Sequence, residues 1–495
     1  MSTRPMHVAT LAVTLALAAC SSEDSSGGGG GTSDTGAGNG SGGSSGDGSA
    51  GGSGGGGAAA TADWTMLGYD LHSTYWNQKE TKVTVAGARG LTKAWEVDFQ
   101  GGSVTSTPVI AGGKVYLASS SGVLAVDLAT GAELWRQTGT LEAPLGASSS
   151  MAFEDGTLYL NDGGGVVRAM RASDGVEIWS YDPPEPWIVG FSSVVVAGDL
   201  LITGTSGLEE VGSSNELKAG KAAETRGHVF ALNKKDGKLA WKGYTVDPPS
   251  TGVGIWSTPS VDLEQGIVIA ATGNTYTGPP SDTADAFVAF PLATGASRLW
   301  HPQILEQDVY PAGNGPDGDF GANPVLFDVG GRKLAAGGAK MGDVFVIDRT
   351  NGEIVKQRNL GPASAFKGGI FVNGAWDGER LLFACNGATS TGAGSEGVGA
   401  ALFALDPLTL DIVWERQIGG SVWGMISVAN GVGFYGKDKV LQAFDTKTGE
   451  VLSEFPTEGS IATAPAVSNG HVVFGSGMSW ITSTPGSKYY ALKVP

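Results

Sequence analysis

The sequence predicts an all-β fold, an eight-bladed β-propeller built from four-stranded antiparallel blades. Three observations predict it: a strand–turn–strand pattern recurs along the chain, glycine is abundant at 81 of 495 residues, and two incomplete repeats stand at the ends of the repeat region. Long all-β chains can form a single domain, so residues 63–495 are predicted to be one propeller.

Each repeat consists of an apolar strand, a turn that usually carries Thr-Gly or Asp-Gly, and a second strand that usually carries an aromatic residue. Seven copies cover residues 124–135, 167–179, 229–241, 287–300, 344–356, 402–414 and 441–453. The turns recur at intervals of roughly 40 to 60 residues, which leaves room for the four strands of a propeller blade. The incomplete repeats 91–97 and 489–494 are predicted to pair as an eighth blade, which closes the ring and removes two sheet edges.

Two sets of repeated residues have a structural explanation. Six tryptophans at equivalent positions are predicted to pack between blades: Trp95, Trp135, Trp179, Trp241, Trp300 and Trp414. Four aspartates before the turns are predicted to accept hydrogen bonds from turn amides: Asp127, Asp348, Asp406 and Asp445.

Residues 1–62 are predicted to be targeting sequence and tether. An apolar core from Val8 to Ala18 is too short to span a bilayer and ends in Leu-Ala-Ala-Cys20, which resembles the lipobox of bacterial lipoproteins. Residues 1–20 are therefore predicted to be a signal peptide with Cys20 as the lipidated residue, although an ordinary secretory signal is the alternative. Glycine and serine make up 28 of residues 21–62, which predicts a disordered tether. We expect a periplasm-facing membrane surface, the outer membrane or the cell surface, with membrane contact through the lipid only.

Composition excludes several functions. Lysine and arginine number 31 against 49 acidic residues, and the net charge of −18 argues against nucleic acid as a partner. Two cysteines cannot form a disulfide framework or a cysteine zinc cluster, and the sequence has no CxxCH motif for a c-type haem. We therefore expect no haem in this chain.

Several segments depart from the repeat, mostly between residues 204 and 342. They and their flanking motifs read DWTMLGYDLHSTYWN (63–77), GVGIWSTPSVD (252–262), ATGNTY (271–276), GPDGDFGANPVLF (315–327), GGAKMGDVFVIDRTNG (337–352) and WGMISVANGVGFYG (423–436). In these motifs the sequence resembles the pyrroloquinoline quinone (PQQ) alcohol dehydrogenases, above all their polyvinyl alcohol dehydrogenase-like branch. The resemblance implies oxidation of an alcohol, secondary or polymeric in that branch, by hydride transfer to metal-bound PQQ. It also implies an external electron acceptor, either cytochrome c or a quinone.

The same resemblance implies roles for individual residues. Trp256 matches the indole on which PQQ lies flat, and Ser206 and Lys340 match residues that contact the cofactor. Lys340 also has the catalytic role of stabilising the reduced quinone. Asp317 matches the catalytic base that removes the hydroxyl proton. For Trp256 the alternative is a packing residue, and for Lys340 it is an ordinary surface residue.

A hard cation with oxygen ligands is the second implied cofactor. The resemblance gives Glu209, Asn274 and Asp317 as its ligands, with Glu210 as a competitor for the first position. Asp319 stands two residues after Asp317, which resembles the additional carboxylate of lanthanide-using members. We expect calcium, with a lanthanide as the alternative, and Asp319 either as a further ligand or as a residue that fixes its loop.

Some features depart from the family pattern. Many relatives have adjacent cysteines that form a disulfide against PQQ, whereas Cys385 is the only cysteine after Cys20. An arginine that many relatives direct at PQQ falls in the Ser148–Ser150 run, and Val189 replaces a threonine. Two alternatives stay open: a non-catalytic propeller lipoprotein similar to the outer-membrane assembly scaffold, and a relative that has lost its cofactor.

Overall fold

The computed structural model of the chain describes residues 62–139, 141, 149–185, 188–207, 224–305, 318–361, 369–387, 399–477 and 486–495. These residues form a ring of eight blades, so the predicted eight-bladed propeller is confirmed. The predicted signal peptide, Cys20 and nearly all of the predicted tether lie outside the described residues, and the domain boundaries at residues 20 and 62 stay predictions.

The first described elements are β1 (Trp76–Asn77), the short helix α1 (Val85–Ala88) and β2 (Thr92–Asp98). Blade 1 contains β3 (Val109–Ala111), β4 (Lys114–Ser119), β5 (Gly122–Asp127) and β6 (Glu133–Thr138). Blade 2 contains β7 (Ala152–Glu154), β8 (Thr157–Asn161), β9 (Val167–Arg171) and β10 (Glu177–Tyr181). Blade 3 is preceded by β11 (Ile188–Val189) and contains β12 (Val195–Ala197), β13 (Leu200–Gly204), β15 (His228–Asn233) and β16 (Leu239–Tyr244); β14 (Ser206–Gly207) pairs with β11. Blade 4 contains β17 (Ser260–Asp262), β18 (Ile267–Ala271) and β19 (Phe287–Pro291).

The second half of the ring repeats the arrangement. Blade 5 contains β20 (Val325–Val329), β21 (Arg332–Gly338), β22 (Asp343–Asp348) and β23 (Ile354–Asn359). Blade 6 contains β24 (Ala375–Trp376), β25 (Leu381–Asn386), β26 (Ala400–Leu405) and β27 (Ile412–Ile418). Blade 7 contains β28 (Ser427–Ala429), β29 (Val432–Lys437), β30 (Val440–Asp445) and β31 (Val451–Pro456), and β1 joins it beside β28. Blade 8 contains β32 (Ala466–Ser468), β33 (His471–Ser476) and β34 (Lys488–Lys493), and β2 is its outer strand.

The ring is closed as predicted. Strand β2 pairs antiparallel with β34, from Thr92 opposite Lys493 to Asp98 opposite Lys488. Blade 4 differs from the four-strand pattern. In the described part of the chain, isolated bridges of Ala289 with Trp300 and of Ala286 with Gln303 stand where its outer strand is expected. Proline at position 291 ends β19 and has no N–H to offer such a strand.

The repeated tryptophans pack between blades, as predicted. Each indole lies on the turn glycine of the next blade, where a Cβ atom would stand within 3 Å of the ring. Trp95 also donates its indole N–H to the Leu128 carbonyl at 2.8 Å, and Trp241 donates to Leu292 at 2.8 Å. The glycines adopt positive φ, for example +68° at Gly237. The glycines of these turns thus allow the turn conformation and also leave room for the tryptophan that packs on them from the neighbouring blade. The aspartates before the turns cap them as predicted: Asp127 accepts from the amides of residues 129 and 130.

Residues 64–77, called here the axial segment, run across the innermost strands of the ring. Main-chain hydrogen bonds join the segment to these strands at Ile110, Phe153, Val261, Leu326, Trp376 and Val428. Asn77 adds a side-chain bond of 2.7 Å to the Val467 carbonyl in blade 8. Seven of the eight blades are therefore bonded directly to this one segment.

Buried residues of adjacent blades form the core, with the innermost strands almost entirely buried. Helix α1 has four residues, and no helix in the described ranges has the length and apolar character needed to cross a membrane.

Candidate active site

Five of the residues selected from the sequence lie at the same face of the ring, four in loops and Ser206 in the two-residue strand β14. In an antiparallel blade, the loop that leads into the innermost strand and the loop between the second and third strands are at the same end. Trp256 and Asp319 lie in loops leading into blades 4 and 5, while Ser206, Asn274 and Lys340 follow the second strands of blades 3, 4 and 5. Three consecutive blades therefore supply the cluster.

Trp256 belongs to a group of aromatic side chains at this face. Its ring centroid lies 5.5 Å from that of Phe371, which lies 5.6 Å from that of Trp423. All three residues stand four positions before the first residue of an innermost strand. In blade 5 that position is Gly321, where a Cβ would lie 2.6 Å from the Trp256 ring. Phe371 and Trp423 were not selected from the sequence, although their shared offset from the innermost strand is a pattern that identifies them.

Lys340 and Asp319 form a buried ion pair beside Trp256. The Lys340 Nζ lies 2.9 Å from Asp319 Oδ2, with side-chain exposures of 8% and 1%. The Lys340 amide also donates to the Asp319 carbonyl at 3.0 Å, so the two residues are joined through both backbone and side chains. The ammonium stands 5.0 Å from the centre of the Trp256 ring, within the range of a cation–π interaction.

Asn274 borders the same group through Gly273, and Ser206 lies beside Gly254, two residues before Trp256, where a Cβ would stand 2.8 Å from the Ser206 hydroxyl. A Cβ on Gly273 would lie 2.7 Å from Asp319 Oδ1 and 3.2 Å from Trp256 Nε1, so a larger residue directly before Asn274 would displace the Asp319 carboxylate. Asn274 is 5% exposed, and its carbonyl accepts from the Val253 amide. The Ser206 hydroxyl is buried, and it and Trp256 Nε1 have no hydrogen-bond partner in the described parts of the chain. Two buried polar atoms at this face thus lack a hydrogen-bond partner among the described residues.

Glu209, Glu210 and Asp317 lie outside the described residues, and so do residues 142–148, the last of which is Ser148. Of the predicted metal ligands, the structure thus places only Asn274 and Asp319. Within the described ranges, no group of three or more His, Cys, Asp or Glu side chains is arranged to hold a metal ion. The predicted cation site depends on the carboxylates that are not described.

Asp285 is a further buried carboxylate near this loop cluster. It is fully buried, its amide donates to the Gly273 carbonyl at 3.3 Å, and a Cβ on Gly318 would lie 3.0 Å from its carboxyl carbon. No sequence pattern distinguishes it, because Asp282 stands in the same short polar segment. Cys385, in contrast, lies in β25, where burial, followed by the charge of Asp343, raises the pKa of its thiol to about 12. It is a core residue with an unreactive thiol.

The chain matches one family model over most of its length. The model of the PQQ_2 family, described as "Outer membrane protein assembly factor BamB", matches residues 79–358 and 340–493. A polyvinylalcohol dehydrogenase from Pseudomonas sp is 27% identical over 77% of this chain and 65% of its own length. A polyvinylalcohol dehydrogenase from Sphingopyxis sp. (strain 113P3) is 28% identical over 81% of this chain and 68% of its own length. The chain thus spans about two thirds of the length of these relatives.

A solved structure supports the same fold. Quinohemoprotein alcohol dehydrogenase from Comamonas testosteroni superimposes with a TM-score of 0.72 at 20% identity, covering 88% of this chain and 81% of that chain. At this identity the superposition shows the shared propeller. Together with the named relatives, it confirms the resemblance to PQQ alcohol dehydrogenases that the sequence motifs predicted.

Proposed function

We propose a function from one premise: the chain belongs to the PQQ_2 family of β-propeller proteins. We propose that it is a quinoprotein alcohol dehydrogenase that uses metal-bound PQQ and Asp317 as general base. One observation carries the proposal, which is that Trp256, Lys340 and Asp319, selected from three separate motifs, lie together in one group. A secondary or polymeric alcohol is the proposed substrate, in line with the relatives named polyvinylalcohol dehydrogenase.

The described residues fit PQQ. Trp256 is partly exposed and offers a planar apolar surface to a planar quinone. The Lys340 ammonium beside it suits an anionic or oxygen-rich edge. The Ser206 hydroxyl and the Trp256 N–H, which have no partner within the described ranges, supply hydrogen-bonding capacity. For the cation, Asn274 offers an amide oxygen, and Glu209 and Asp317 are the proposed carboxylate ligands, as oxygen-rich sites for calcium require. Asp319 is a fourth candidate.

The proposed reaction removes a hydride from the alcohol carbon and a proton from its oxygen, leaving a carbonyl product. When bound, PQQ supplies the quinone carbonyl that accepts the hydride, with the cation as Lewis acid. Asp317 accepts the hydroxyl proton, which a carboxylate near a cation can do because it stays ionised. Lys340 stabilises the negative charge that develops on the quinone oxygen. An external acceptor, either two molecules of cytochrome c at one electron each or one quinone, would receive the two electrons.

The proposed location follows from the predicted leader. We propose that Cys20 is lipidated and that residues 21–62 tether the propeller to a membrane, with calcium preferred over a lanthanide and without haem in this chain. These statements rest on the motif and the composition described above.

A second candidate is a non-catalytic scaffold for protein assembly, which the description of the matching family model favours. A scaffold has no need of a buried lysine beside a partly exposed tryptophan at the loop face. A relative that has lost its cofactor would retain these residues by ancestry, so only a binding measurement separates it from an enzyme.

The test is reconstitution of the purified protein with PQQ and calcium. We expect a change in cofactor absorbance and alcohol-dependent reduction of a dye. Asp317→Asn should retain PQQ binding and lower turnover by orders of magnitude, because the amide cannot accept the proton. Asp411→Asn is the matched control, since Asp411 is 77% exposed on the outer strand side of blade 6. Cofactor binding without turnover, or no binding at all, would contradict the proposed activity.

A further inference from the structure

We propose that Asn323 is a positioning residue for Trp256 and that Tyr75 of the axial segment holds Asn323 in place. This inference deepens the proposed function and rests on it, because Trp256 is the surface proposed for PQQ. It also gives a role to two residues of the motifs at 63–77 and 315–327 that the proposed reaction does not use.

Asn323 belongs to a set of hydrogen bonds that repeats around the ring axis, called here the axial belt. In each bond, the side chain two positions before an innermost strand accepts from the backbone amide of the equivalent residue in the preceding blade. Five such bonds of 2.8 to 3.0 Å connect blades 8, 1, 2, 3, 4 and 5 in turn, with these donors and acceptors: Ala464 to Thr107, Thr107 to Ser150, Ser150 to Ser193, Ser193 to Thr258, and Thr258 to Asn323. Within the described ranges the series stops there, because the side chain of Asn373, the equivalent residue of blade 6, has no hydrogen-bond partner.

Asn323 differs from the other acceptors of the belt because it also bonds to the axial segment. The others are serine or threonine with a single hydroxyl, whereas asparagine has an acceptor oxygen and a separate donor nitrogen. The Thr258 amide can only donate, so the Asn323 oxygen faces it at 2.8 Å, and Nδ2 donates to the Tyr75 hydroxyl at 3.1 Å. Both Asn323 and Tyr75 are buried, so bulk water does not replace a lost partner.

Other contacts fix Tyr75. Its amide donates to the Gly68 carbonyl at 2.8 Å, and its carbonyl accepts from the Val428 amide at 2.7 Å. Its hydroxyl donates to the sulfur of Met425 at 3.6 Å. The φ angle of +55° is uncommon for a residue with a large side chain and is maintained by these contacts. The position of Tyr75 is therefore set independently of its bond to Asn323.

Two contacts connect Asn323 to Trp256. The Asn323 side chain binds the amide of Thr258, which stands two residues after Trp256. Gly321, two residues before Asn323, faces the indole, and a Cβ there would lie 2.6 Å from the ring. The loops that carry Trp256 and Asn323 thus touch at two places, and the Asn323 side chain sets their separation. When its bonds are lost, the loops can separate and the indole can tilt.

Three substitutions separate these bonds. Asn323→Leu removes both of them at similar volume. Asn323→Ser retains an acceptor for the Thr258 amide, as serine does at two other belt positions, and loses only the bond to Tyr75. Tyr75→Phe also removes that bond alone. The matched control is Tyr435→Phe, because Tyr435 is fully buried, accepts a hydrogen bond of 2.8 Å from Arg416, and lies in β29, which contributes no belt residue.

The first measurement is hydrogen–deuterium exchange by mass spectrometry on the cofactor-free full chain. Segment 252–262, which contains Trp256 and Thr258, is compared with the buried strand β5, which reports opening of the whole ring. We expect Asn323→Leu to accelerate exchange of 252–262 at least about tenfold more than that of β5, because it leaves a buried amide without its partner. Asn323→Ser and Tyr75→Phe should show a smaller acceleration that is still selective for 252–262. Tyr435→Phe should change both segments equally.

The second measurement is PQQ binding in the presence of calcium, followed by quenching of tryptophan fluorescence. We expect Asn323→Leu to weaken binding about tenfold, as for the loss of a buried hydrogen bond. Asn323→Ser should bind more tightly than Asn323→Leu. Tyr435→Phe should stay within about twofold of wild type, since substitutions at independent sites do not couple.

The outcomes separate the two proposals. Equal acceleration of both segments in Asn323→Leu, or a PQQ affinity of Asn323→Leu that equals that of wild type, overturns the positioning role. If Asn323→Leu fails to fold, the same two criteria apply to Asn323→Ser and Tyr75→Phe. If wild type binds no PQQ, the proposed function fails, while the exchange measurement still decides whether Asn323 holds the Trp256 loop.

Discussion

The ion pair between Asp262 and Arg349 allows a stability prediction with a worked magnitude. Burial alone would raise the pKa of Asp262, but the hydrogen bonds from the Gln265 amide and the Arg349 guanidinium outweigh it and lower the pKa to about 2. The Asp262 side chain is only 2% exposed, so solvent screens the pair little. Relative to the ordinary value of 3.8, the difference corresponds to about 2.4 kcal/mol at 1.36 kcal/mol per pKa unit. Asp262→Asn removes the charge while retaining the shape, and we expect the free energy of unfolding at pH 7 to fall by about 2 kcal/mol.

Three other contacts of Arg349 limit the loss. The guanidinium also binds the carbonyls of Phe327 and Leu334 and the carboxylate of Asp328, at 2.7 to 3.1 Å. These contacts stay in Asp262→Asn, so the arginine is not left without a counterion. The cost should therefore lie below the ~3–5 kcal/mol that full isolation of a buried charge brings.

Urea unfolding at two pH values tests the reasoning. A lowered pKa in the folded state stabilises the protein at pH values above the unfolded pKa, and the stabilisation is lost as the pH falls through the folded pKa. With pKa values of 3.8 unfolded and about 2 folded, the advantage of wild type should shrink from about 2 kcal/mol at pH 7 to about 1 kcal/mol at pH 3. A difference between wild type and variant that is the same at both pH values would refute an electrostatic origin.

Three further predictions concern packing, the axial segment and the leader. Gly237→Ala should destabilise the ring by at least about 2 kcal/mol in urea unfolding, because φ is +68° and the new Cβ would stand 2.4 Å from Trp179. An unchanged urea midpoint would contradict the close packing of Trp179 on Gly237. Tyr75→Phe should cost about 1–2 kcal/mol in the same assay, because the Asn323 amide loses its acceptor at 3.1 Å. Cys20→Ser should abolish both the lipid labelling of the protein and its partition into the detergent phase. Partition into detergent by the variant would argue against the anchor.

The fold was predictable because its information is local. Each Thr-Gly or Asp-Gly turn forms within one repeat, and the tryptophan that covers the glycine of the next blade recurs four or five residues after its own turn. The pairing of β2 with β34 followed from counting two incomplete repeats. The outer strand of blade 4 was harder to predict. The sequence after Pro291 resembles that of the other outer strands, but the backbone there pairs through isolated bridges.

The site was predictable only in part, because its contacts are not local. Asp319 and Lys340 were selected for separate roles, and nothing in a spacing of 21 residues states that they form an ion pair. Phe371 meets Trp256 across blade 5 only because Gly321 leaves room between them. Such contacts depend on how the loops of different blades pack together at the ring face. The periodicity of the strands does not encode this packing.

Translation produces the axial segment before any of its partners. Those hydrogen-bonding partners extend from Ile110 to Val467, so the segment leaves the ribosome long before the last of them exists. Until synthesis passes blade 7, some of its backbone groups must be satisfied by water or by other molecules, and the Asn77 side chain gains its Val467 partner only with blade 8. The earliest part of the propeller to be translated is thus among the last to complete its hydrogen bonds. In a chain terminated before blade 8, both this segment and strand β2 would lack hydrogen-bonding partners.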